Sequence, residues 1–459
     1  MAKVKAPIKK NETVTLMIED LTHDGSGVGK INGYPLFIPY ALPGEEAVVK
    51  AVKVNKKFGY GKLLEVKKSS ADRVEPPCNV YYKCGGCQLQ HMSYDMQLKM
   101  KENQVKNVMR KIAHLDVPVH PVIRMEDPWR YRNKVQIPVG EKDGELITGF
   151  YRTRSHDIID NMETCLIQDE PNDRAVHAVR RIANELGIPA YDEVTDRGVL
   201  RHIMVRSGKQ TGDIMIVLIT RTEKIPKQET FIQQLTKTFP NVNSIIHNVN
   251  NKKTNTIYGK KTNVIWGDEY IYDTIGDIRF AMSARSFYQV NPEQTTNLYE
   301  KALEYAQISK DDVVIDAYCG IGTISLFLAQ KAKKVYGIEV VEDAIQDARK
   351  NAERNGMTNA EFAVGKAEEV MPKWKEEGMR PDVIVVDPPR KGCDPEFLQA
   401  MIEMEPTRIV YVSCNPSTLA RDLKILEDGG YSTKEIQPVD MFPQTTHIES
   451  VTRLERAVV

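Results

Sequence analysis

The first 67 residues alternate apolar and polar positions in short runs that are separated by glycine-rich turns. These runs cover Glu12–Ile18, Tyr34–Pro39, Glu46–Asn55 and Gly61–Lys67. A strand with one buried face alternates with a period of two, so several short runs at this spacing predict a small β-barrel. We therefore place a first domain at residues 1–67.

Residues 68–275 mix strand and helix signals. An alternating stretch at Val199–Arg206 and a β-branched run at Asp213–Thr220 both predict strands. Such a mixture is typical of an α+β fold, and we predict a central α+β domain over this range.

The pattern changes at residue 276, where long apolar strands begin to alternate with amphipathic helices. The strand candidates are Val313–Asp316, Val335–Glu339, Val383–Asp387 and Ile409–Ser413. This alternation predicts a doubly wound parallel sheet, and hence one Rossmann-like α/β domain at residues 276–459.

Charge adds one local feature to this three-domain picture. The chain has 63 basic and 63 acidic residues, which argues against a uniformly basic nucleic-acid binder. Residues 1–68 nevertheless carry 12 lysines and no arginine against 7 acidic residues, a surplus that favours a polyanionic partner.

No apolar run is long enough to cross a bilayer, and the first residues lack the apolar stretch of a leader. The sequence therefore predicts a cytoplasmic protein without a membrane partner. The mixed charge gives no reason to expect an obligate protein partner or more than a monomer.

Two clusters of aromatic and basic residues are candidates for RNA contacts. Phe58 and Tyr60 lie among four lysines, and Arg130 and Arg132 alternate with aromatics in the segment from 127 to 134. Aromatic rings and guanidinium planes hold unstacked RNA bases. The structural alternatives are that the aromatics belong to the barrel core and that the arginines only line a strand edge.

Four of the seven cysteines form the pattern Cys78-x5-Cys84-Gly-Gly-Cys87, with Cys165 further along the chain. In a cytosolic protein this pattern favours a metal site over a disulfide framework. Four thiolates suit zinc or a four-iron cluster, and the broken pair spacing favours a [4Fe-4S] cluster; unliganded thiols are the remaining alternative.

A strand, a glycine turn and a helix follow one another in the run from Val313 to Ala329, which contains Tyr318, Gly320, Gly322 and Thr323. The second strand ends in Glu339, where a carboxylate can accept both ribose hydroxyls of a nucleoside. The third small residue of a dinucleotide fingerprint is missing, so adenosine without a pyrophosphate fits better.

Reactive side chains follow several strand ends of this domain. Ligands bind outside the carboxyl ends of strands in open α/β sheets, so we expect Asp316, Glu339, Asp387 and Cys414 to meet at one rim. Cys414 precedes a helical pattern with Pro416 near its first turn, and the helix dipole is expected to stabilise its thiolate.

A second reactive group is expected at the same edge. Glu449 stands between the strand-like Ile436–Val439 and Ser450–Leu454, which places it at a sheet end and makes it a candidate base. His447 is an alternative base, but we interpret it as an orienting or RNA-contacting residue.

The segment 6–67 resembles the TRAM domain, an RNA-binding barrel, and nearly the whole chain resembles the RNA uracil-C5-methyltransferase family. Within that family it is most similar to the iron–sulfur, TRAM-bearing branch that acts on 23S ribosomal RNA. The resemblance implies S-adenosylmethionine as methyl donor, Cys414 as the nucleophile and Glu449 as the base. The implied cofactor contacts are Gln289, Tyr318, Thr323, Glu339 and Asp387. The implied cluster ligands are Cys78, Cys84, Cys87 and Cys165.

Three other functions are alternatives for this sequence. A cytosine RNA methyltransferase would have a cysteine directly after the Asp-x-Pro corner, where this chain has Arg390. A transfer-RNA uracil methyltransferase is the closest alternative, although that branch is expected to lack the barrel and the cysteine cluster. A non-catalytic iron–sulfur RNA-binding factor is disfavoured by the presence of both Cys414 and Glu449. The sequence does not reveal which uridine is methylated.

Overall fold

The computed structural model describes residues 6–160 and 162–457, and the first feature of the fold is a closed five-stranded β-barrel. Its strands neighbour one another in the order β1-β2-β3-β5-β4. Their bounds are β1 (Thr13–Leu21), β2 (Gly27–Ile31), β3 (Tyr34–Ile38), β4 (Glu46–Val54) and β5 (Gly59–Lys68). Alternate positions such as Leu36, Ile38 and Val49 are fully buried inside the barrel. The predicted barrel is therefore confirmed.

A six-stranded sheet forms the central part of the chain, in the order β11-β10-β9-β8-β6-β7. Its strands are β6 (Lys134–Lys142), β7 (Glu145–Thr148), β8 (Leu200–Ser207), β9 (Ile214–Thr220), β10 (Val242–Val249) and β11 (Lys261–Gly267). Helices α2 (Glu170–Glu185) and α3 (Gln228–Thr238) share a core with one face of this sheet. From the other face, Met204 and Val217 enter the core of the C-terminal sheet.

Helix α1 (Tyr94–Val108) and the π-helical turn Met109–Ala113 precede the central sheet in the chain but pack elsewhere. Val105 and Met109 share a core with residues of the C-terminal sheet. The backbone N–H of Ile123 donates to the carbonyl of Pro438 at 2.9 Å, which adds this segment to the edge of that sheet.

The C-terminal part contains a seven-stranded sheet in the order β16-β15-β14-β17-β18-β20-β19, preceded by a separate two-stranded hairpin. The hairpin consists of β12 (Ile271–Ile275) and β13 (Ile278–Met282), so the proposed boundary at residues 275 and 276 falls in its turn. The strands of the sheet are β14 (Val313–Ala317), β15 (Lys334–Glu339), β16 (Ala360–Val364), β17 (Val383–Val386), β18 (Arg408–Ser413), β19 (Tyr431–Val439) and β20 (Glu449–Arg456). Its helices are α4 (Pro292–Ala306), α5 (Thr323–Ala329), α6 (Glu342–Arg354), α7 (Ala367–Glu376), α8 (Pro395–Glu403) and α9 (Pro416–Asp428).

The central strands of this sheet are apolar throughout because both faces are covered. In β17, Val383 and Val385 belong to one core and Ile384 and Val386 belong to the other. The predicted doubly wound sheet is confirmed. Within the described ranges, no helix has both the length and the apolar character needed to cross a membrane.

Six of the seven strands run in the same direction, and β20 is inserted antiparallel between β18 and β19. The carboxyl ends of the parallel strands therefore meet at the same edge as the amino end of β20. This topology places all the chemistry expected of the domain at one rim.

Candidate active site

A cavity of about 1050 Å³ opens at this rim and reaches across to the central sheet. Eleven residues singled out from the sequence line it: Cys78, Cys84, Cys87, Cys165, Gln289, Tyr318, Thr323, Glu339, Asp387, Cys414 and Glu449. Asp316 lies beneath it, fully buried, and accepts a hydrogen bond from the Ser325 hydroxyl. Glu339, Asp387 and Cys414 therefore meet at one rim as expected, and Asp316 is buried outside the cavity lining.

Cys414 occupies the turn between β18 and α9. The Asn415 side chain caps α9 by accepting from the Ser417 N–H at 3.0 Å, and Pro416 fills the first helical position, where its missing N–H costs nothing. Asn415 also donates to the carbonyl of Arg390 at 3.1 Å. The turns after β17 and β18 are thereby tied together, which fixes the half-buried thiol at the cavity wall.

Glu449 begins β20 and is almost completely buried. Ser413 and Ser450 are partners in the antiparallel ladder, so Cys414 and Glu449 are the next residues beyond that pair. Their side chains are close enough to interact electrostatically, and both line the cavity.

The electrostatics of this pair differ from the sequence-based expectation. Burial, with smaller contributions from the Glu449 and Asp387 carboxylates, raises the pKa of Cys414 to about 11. A thiolate at Cys414, as predicted from the helix dipole, is therefore not the form expected in the unliganded protein, because burial and two neighbouring acids favour the protonated thiol. Burial also raises the pKa of Glu449 well above its usual range and that of Asp387 to about 7.

Arg390 is a cation that interacts with Cys414 and Glu449. It lowers the pKa of both Cys414 and Glu449, although less than burial raises them. A guanidinium nitrogen lies 3.0 Å from Nδ1 of His447, whose pKa is lowered by burial and by nearby cations. A neutral imidazole is therefore expected at pH 7. Sequence reasoning used Arg390 only to exclude cytosine methylation and missed its position.

The other end of the cavity is built from backbone amides. The Glu339 carboxylate accepts from the N–H groups of Val340 at 2.8 Å, Val341 at 3.0 Å and Gly320 at 3.3 Å, so it is held in one orientation. A Cβ added to Gly320 would meet no atom within 4 Å, which shows open space over the turn. These features fit the adenosine half of a nucleoside cofactor.

Tyr318, Thr323 and Gln289 surround the same space. Tyr318 has a left-handed backbone with φ of 65° and packs edge-on against Phe397. The Thr323 hydroxyl accepts from the Tyr299 hydroxyl at 3.2 Å. Strained backbone at a non-glycine residue is characteristic of functional turns.

The segment that carries Gln289 is held by the central sheet. The fully buried Arg206 donates to the carbonyls of Ser283 at 2.7 Å and Ser286 at 2.8 Å. Asn133 donates its side-chain amide to the carbonyl of Gln289 at 3.1 Å. The central sheet therefore positions part of the proposed cofactor site.

The loop from Asp440 to Glu449 is anchored from several directions. Lys101 of α1 is fully buried, pairs with Asp440 at 2.5 Å and donates to the carbonyl of Phe442 at 3.1 Å. The Gln97 side-chain amide donates to Oε1 of Gln444 at 3.0 Å and accepts from the backbone N–H of Gln444 at 3.1 Å. These contacts position Glu449, and nothing in the sequence indicated that Lys101 would be buried.

The two arginines of the segment from 127 to 134 have different environments. Arg130 donates to the carbonyl of Cys165 at 2.9 Å and pairs with Asp173 at 3.2 Å, so it is structural. Arg132 lines the cavity instead. On the barrel, Phe58 and Tyr60 form a cluster with Phe37, with ring centroids 5.7 to 5.8 Å apart. These rings lie outside the barrel core, as the RNA-contact interpretation requires.

The four cysteines of the predicted cluster share one wall of the cavity but do not form a metal site. In the described parts of the chain, no group of three or more cysteine, histidine, aspartate or glutamate side chains could hold a metal ion. Burial raises the pKa of Cys87 and Cys165 to about 12, and binding of a metal would have to displace these protons. The donor set fits a [4Fe-4S] cluster in number and kind, but in the described residues the four thiols are not gathered into a ligand group.

Comparisons with known proteins cover both halves of this architecture. The family described as tRNA (Uracil-5-)-methyltransferase matches residues 93–457, and the TRAM domain matches residues 7–64. An uncharacterized RNA methyltransferase of Oceanobacillus iheyensis is 67% identical over 99% of both chains, and one of Enterococcus faecalis is 53% identical over 98% of this chain and 99% of the relative.

A solved structure agrees with the fold along almost the whole chain. It is the tRNA (uracil-54, C5)-methyltransferase of Pyrococcus abyssi in complex with S-adenosyl-L-homocysteine, with a TM-score of 0.78 and 30% identity. The match covers 96% of this chain and 100% of that chain, and the uncovered 4% is much shorter than the barrel. The expectation that transfer-RNA enzymes lack the barrel is therefore wrong for this relative.

Proposed function

Since the chain belongs to the tRNA (Uracil-5-)-methyltransferase family, we propose that it transfers a methyl group from S-adenosylmethionine to carbon 5 of an RNA uridine through a covalent adduct with Cys414. The observation that carries this proposal is the placement of Cys414 and Glu449 side by side in the cavity that also contains Glu339 and Asp387.

The covalent bond to Cys414 activates carbon 5 of the uracil ring. Carbon 5 of uracil is too electron-poor to attack a methyl sulfonium directly. The Cys414 sulfur forms a bond to carbon 6, and the electrons of the C5–C6 double bond move into the carbonyl at carbon 4 to give an enolate. Carbon 5 of this enolate then accepts the methyl group, and the bond between that methyl carbon and the donor sulfur breaks.

Glu449 completes the reaction. Its carboxylate takes the remaining proton from carbon 5, the C5–C6 double bond re-forms, and the bond between carbon 6 and the Cys414 sulfur breaks to release the thiolate. A general base must be within hydrogen-bonding reach of the proton it removes, and Glu449 lies beside the nucleophile.

The Cys414 thiol holds its proton in the unliganded protein at pH 7, because its pKa is raised to about 11, and burial raises the pKa of Glu449 as well. Arg390 lowers both values, and a cationic methyl donor beside Asp387 would lower them further. We infer that binding of the substrates favours the ionised forms of the nucleophile and the base. Such coupling limits side reactions of a free thiolate.

Five residues are proposed to bind the methyl donor. Glu339 accepts the ribose hydroxyls, and Tyr318, Thr323 and Gln289 enclose the nucleoside and the chain that leads to the sulfur. Asp387 faces the cavity and supplies negative charge near the reacting methyl group. The bound cofactor supplies an electrophilic methyl group, and the protein supplies its orientation.

We also propose that Cys78, Cys84, Cys87 and Cys165 bind a [4Fe-4S] cluster. Their number, their type and their common wall support this assignment. Ligation requires the side chains to move closer together and to lose their protons. The cluster takes no part in the steps above, and its expected contribution is to the stability of the segment from 78 to 92.

The proposed substrate is 23S ribosomal RNA, on the basis of the cysteine pattern together with the barrel. Transfer RNA is the second candidate, because the structurally similar Pyrococcus abyssi protein is a tRNA (uracil-54, C5)-methyltransferase. The deciding experiment incubates the protein with labelled S-adenosylmethionine and either unmodified 23S RNA or unmodified transfer RNA, and then maps 5-methyluridine.

Product confined to 23S RNA supports the first assignment and identifies the uridines. Product confined to transfer RNA supports the proposed reaction but contradicts the assignment of 23S RNA as the substrate. No product on either RNA, with both RNAs bound, would support a non-catalytic RNA-binding factor.

A further inference from the structure

The floor of the cavity carries two cations on adjacent positions of one strand face. Arg132 and Lys134 lie at alternate residues leading into β6, and Gln136 follows on the same face. The intervening residues Asn133 and Val135 are buried on the opposite face. This alternation directs both cations towards the space that contains Cys414.

We infer that Arg132 and Lys134 form a phosphate-binding subsite that holds the RNA backbone next to the target uridine. The inference rests on the proposed function, because it assigns a position to the substrate of that site. It names a contact that neither the family match nor the similar proteins assign.

The charges at this wall are not compensated by the protein. In the part of the chain that the structure describes, no hydrogen bond or ion pair within 4.0 Å joins the side chain of Arg132 or Lys134 to a carboxylate, whereas Arg130 pairs with Asp173 at 3.2 Å. Arg206 stands opposite Lys134 in the ladder between β6 and β8 and is also without a carboxylate partner.

Burial, followed by the repulsion of Arg206 and Arg132, lowers the pKa of Lys134 to about 8. Holding three like charges together in a half-buried wall is unfavourable unless an anion completes the site. The cavity therefore has sides of opposite charge. Carboxylates line the proposed cofactor site and the space around Cys414, and the cations Arg132 and Lys134 face them from the central sheet.

A phosphate fits this site better than a base does. Lysine is a compact point charge that binds phosphate oxygens, and the Arg132 guanidinium beside it can bind phosphate through two parallel N–H groups. Phosphate contacts fix the register of a nucleic acid without reading its sequence. The subsite would thus hold any uridine-containing strand and leave the choice of uridine to other surfaces.

The test compares Lys134→Met and Arg132→Met with the native protein. RNA affinity is measured by filter binding over a series of salt concentrations, and S-adenosylmethionine affinity is measured separately by calorimetry. Lys331→Met is the matched control, because Lys331 is exposed just before β15, at the opposite edge of the sheet from the cavity. Lys134→Arg tests whether charge alone restores binding.

We expect Lys134→Met to weaken RNA binding about fivefold to tenfold and to reduce the slope of log affinity against log salt by about 0.7 to 0.9. S-adenosylmethionine affinity and the control should not change, and Lys134→Arg should bind RNA nearly as the native protein does. Arg132→Met should give the same pattern, which keeps the test informative if Lys134→Met does not fold.

Unchanged RNA affinity and salt slope in both methionine variants would overturn the subsite. Weaker S-adenosylmethionine binding with unchanged RNA binding would also overturn it, because the anion would then be the carboxylate of the cofactor. If the native protein binds RNA but methylates none, the proposed function fails while the binding comparison can still be interpreted.

Discussion

Ser413 and Ser450 are direct partners across the antiparallel strands β18 and β20. The next residue outward on one strand is Cys414 and on the other is Glu449. Opposed Cα atoms in such a ladder lie roughly 5 Å apart, so the proposed nucleophile and the proposed base leave the sheet together. Their spacing depends on backbone hydrogen bonds and not on flexible loops, which favours a reaction in which both act on one uracil ring.

Replacement of the nucleophile should separate binding from chemistry. Cys414→Ala should abolish methyl transfer and leave S-adenosylmethionine and RNA affinity within about twofold, because the thiol acts only on the base. Methylation is measured by transfer of label to RNA. Cys393→Ala is the control, since that buried thiol donates to the Tyr411 hydroxyl at 3.4 Å and does not line the cavity. Turnover by Cys414→Ala would exclude the covalent mechanism.

Glu449→Gln should trap the adduct. An amide cannot remove the proton from carbon 5, so the methylated base should stay bonded to Cys414, and turnover should fall by about 100-fold or more. A denaturing gel should show RNA attached to the protein. Accumulation of this species in His447→Asn instead of Glu449→Gln would transfer the role of base to His447.

Asp387→Asn should stabilise the protein above pH 7. The pKa of Asp387 is about 7 in the folded protein, above its ordinary value of 3.8, so its protonated form is favoured by folding. This stabilisation is complete below pH 4 and is lost as pH rises through 7. The free energy of unfolding of the variant should therefore match that of the native protein near pH 4 and exceed it by about 4 kcal/mol at pH 8, as measured by thermal unfolding. Glu376→Gln, an exposed substitution, should show no such pH dependence.

Lys101→Met should reduce both stability and activity. It leaves the buried Asp440 without its cation, which costs about 3–5 kcal/mol in comparable cases. The loop to Glu449 then loses an anchor, so kcat should fall more than RNA affinity does. Urea unfolding and steady-state kinetics measure the two effects, and Lys99→Met on the exposed face of α1 is the control. Equal effects of the two substitutions would contradict this role of the buried pair.

The proposed cluster ligands Cys78, Cys84, Cys87 and Cys165 lead to a spectroscopic prediction. Protein purified without oxygen should be brown, with broad absorbance near about 400 nm, and Cys87→Ser should remove the colour. Cys393→Ser should keep it. A colourless preparation that contains zinc, or one that contains no metal, would refute the iron–sulfur assignment.

The sequence predicted those elements whose formation depends on residues close together in the chain. Alternation gave the barrel strands, and the buried runs such as Val383–Val386 gave the parallel sheet with its reactive ends. Glu339, Asp387, Cys414 and Glu449 were found because each is a polar residue at the end of an apolar strand.

Features that depend on distant partners were not predicted. Lys101 lies in a helix with many polar residues and looked like a surface lysine, and its partner Asp440 is 339 residues away. Arg130 and Arg132 have the same local pattern, yet one pairs with Asp173 and the other faces the cavity. The raised pKa of Cys414 arises from burial, which no helix-dipole argument could include.

The contact between Lys101 and Asp440 also sets an order of events during synthesis. A ribosome adds about 5–20 residues per second, so Lys101 leaves it tens of seconds before Asp440 does. Helix α1 therefore has an unpaired lysine until Asp440 has emerged, shortly before β20 can insert between β18 and β19. Cys414 and Glu449 come together only when β20 pairs with β18, so the proposed catalytic pair forms after residues 1–448 have been synthesised.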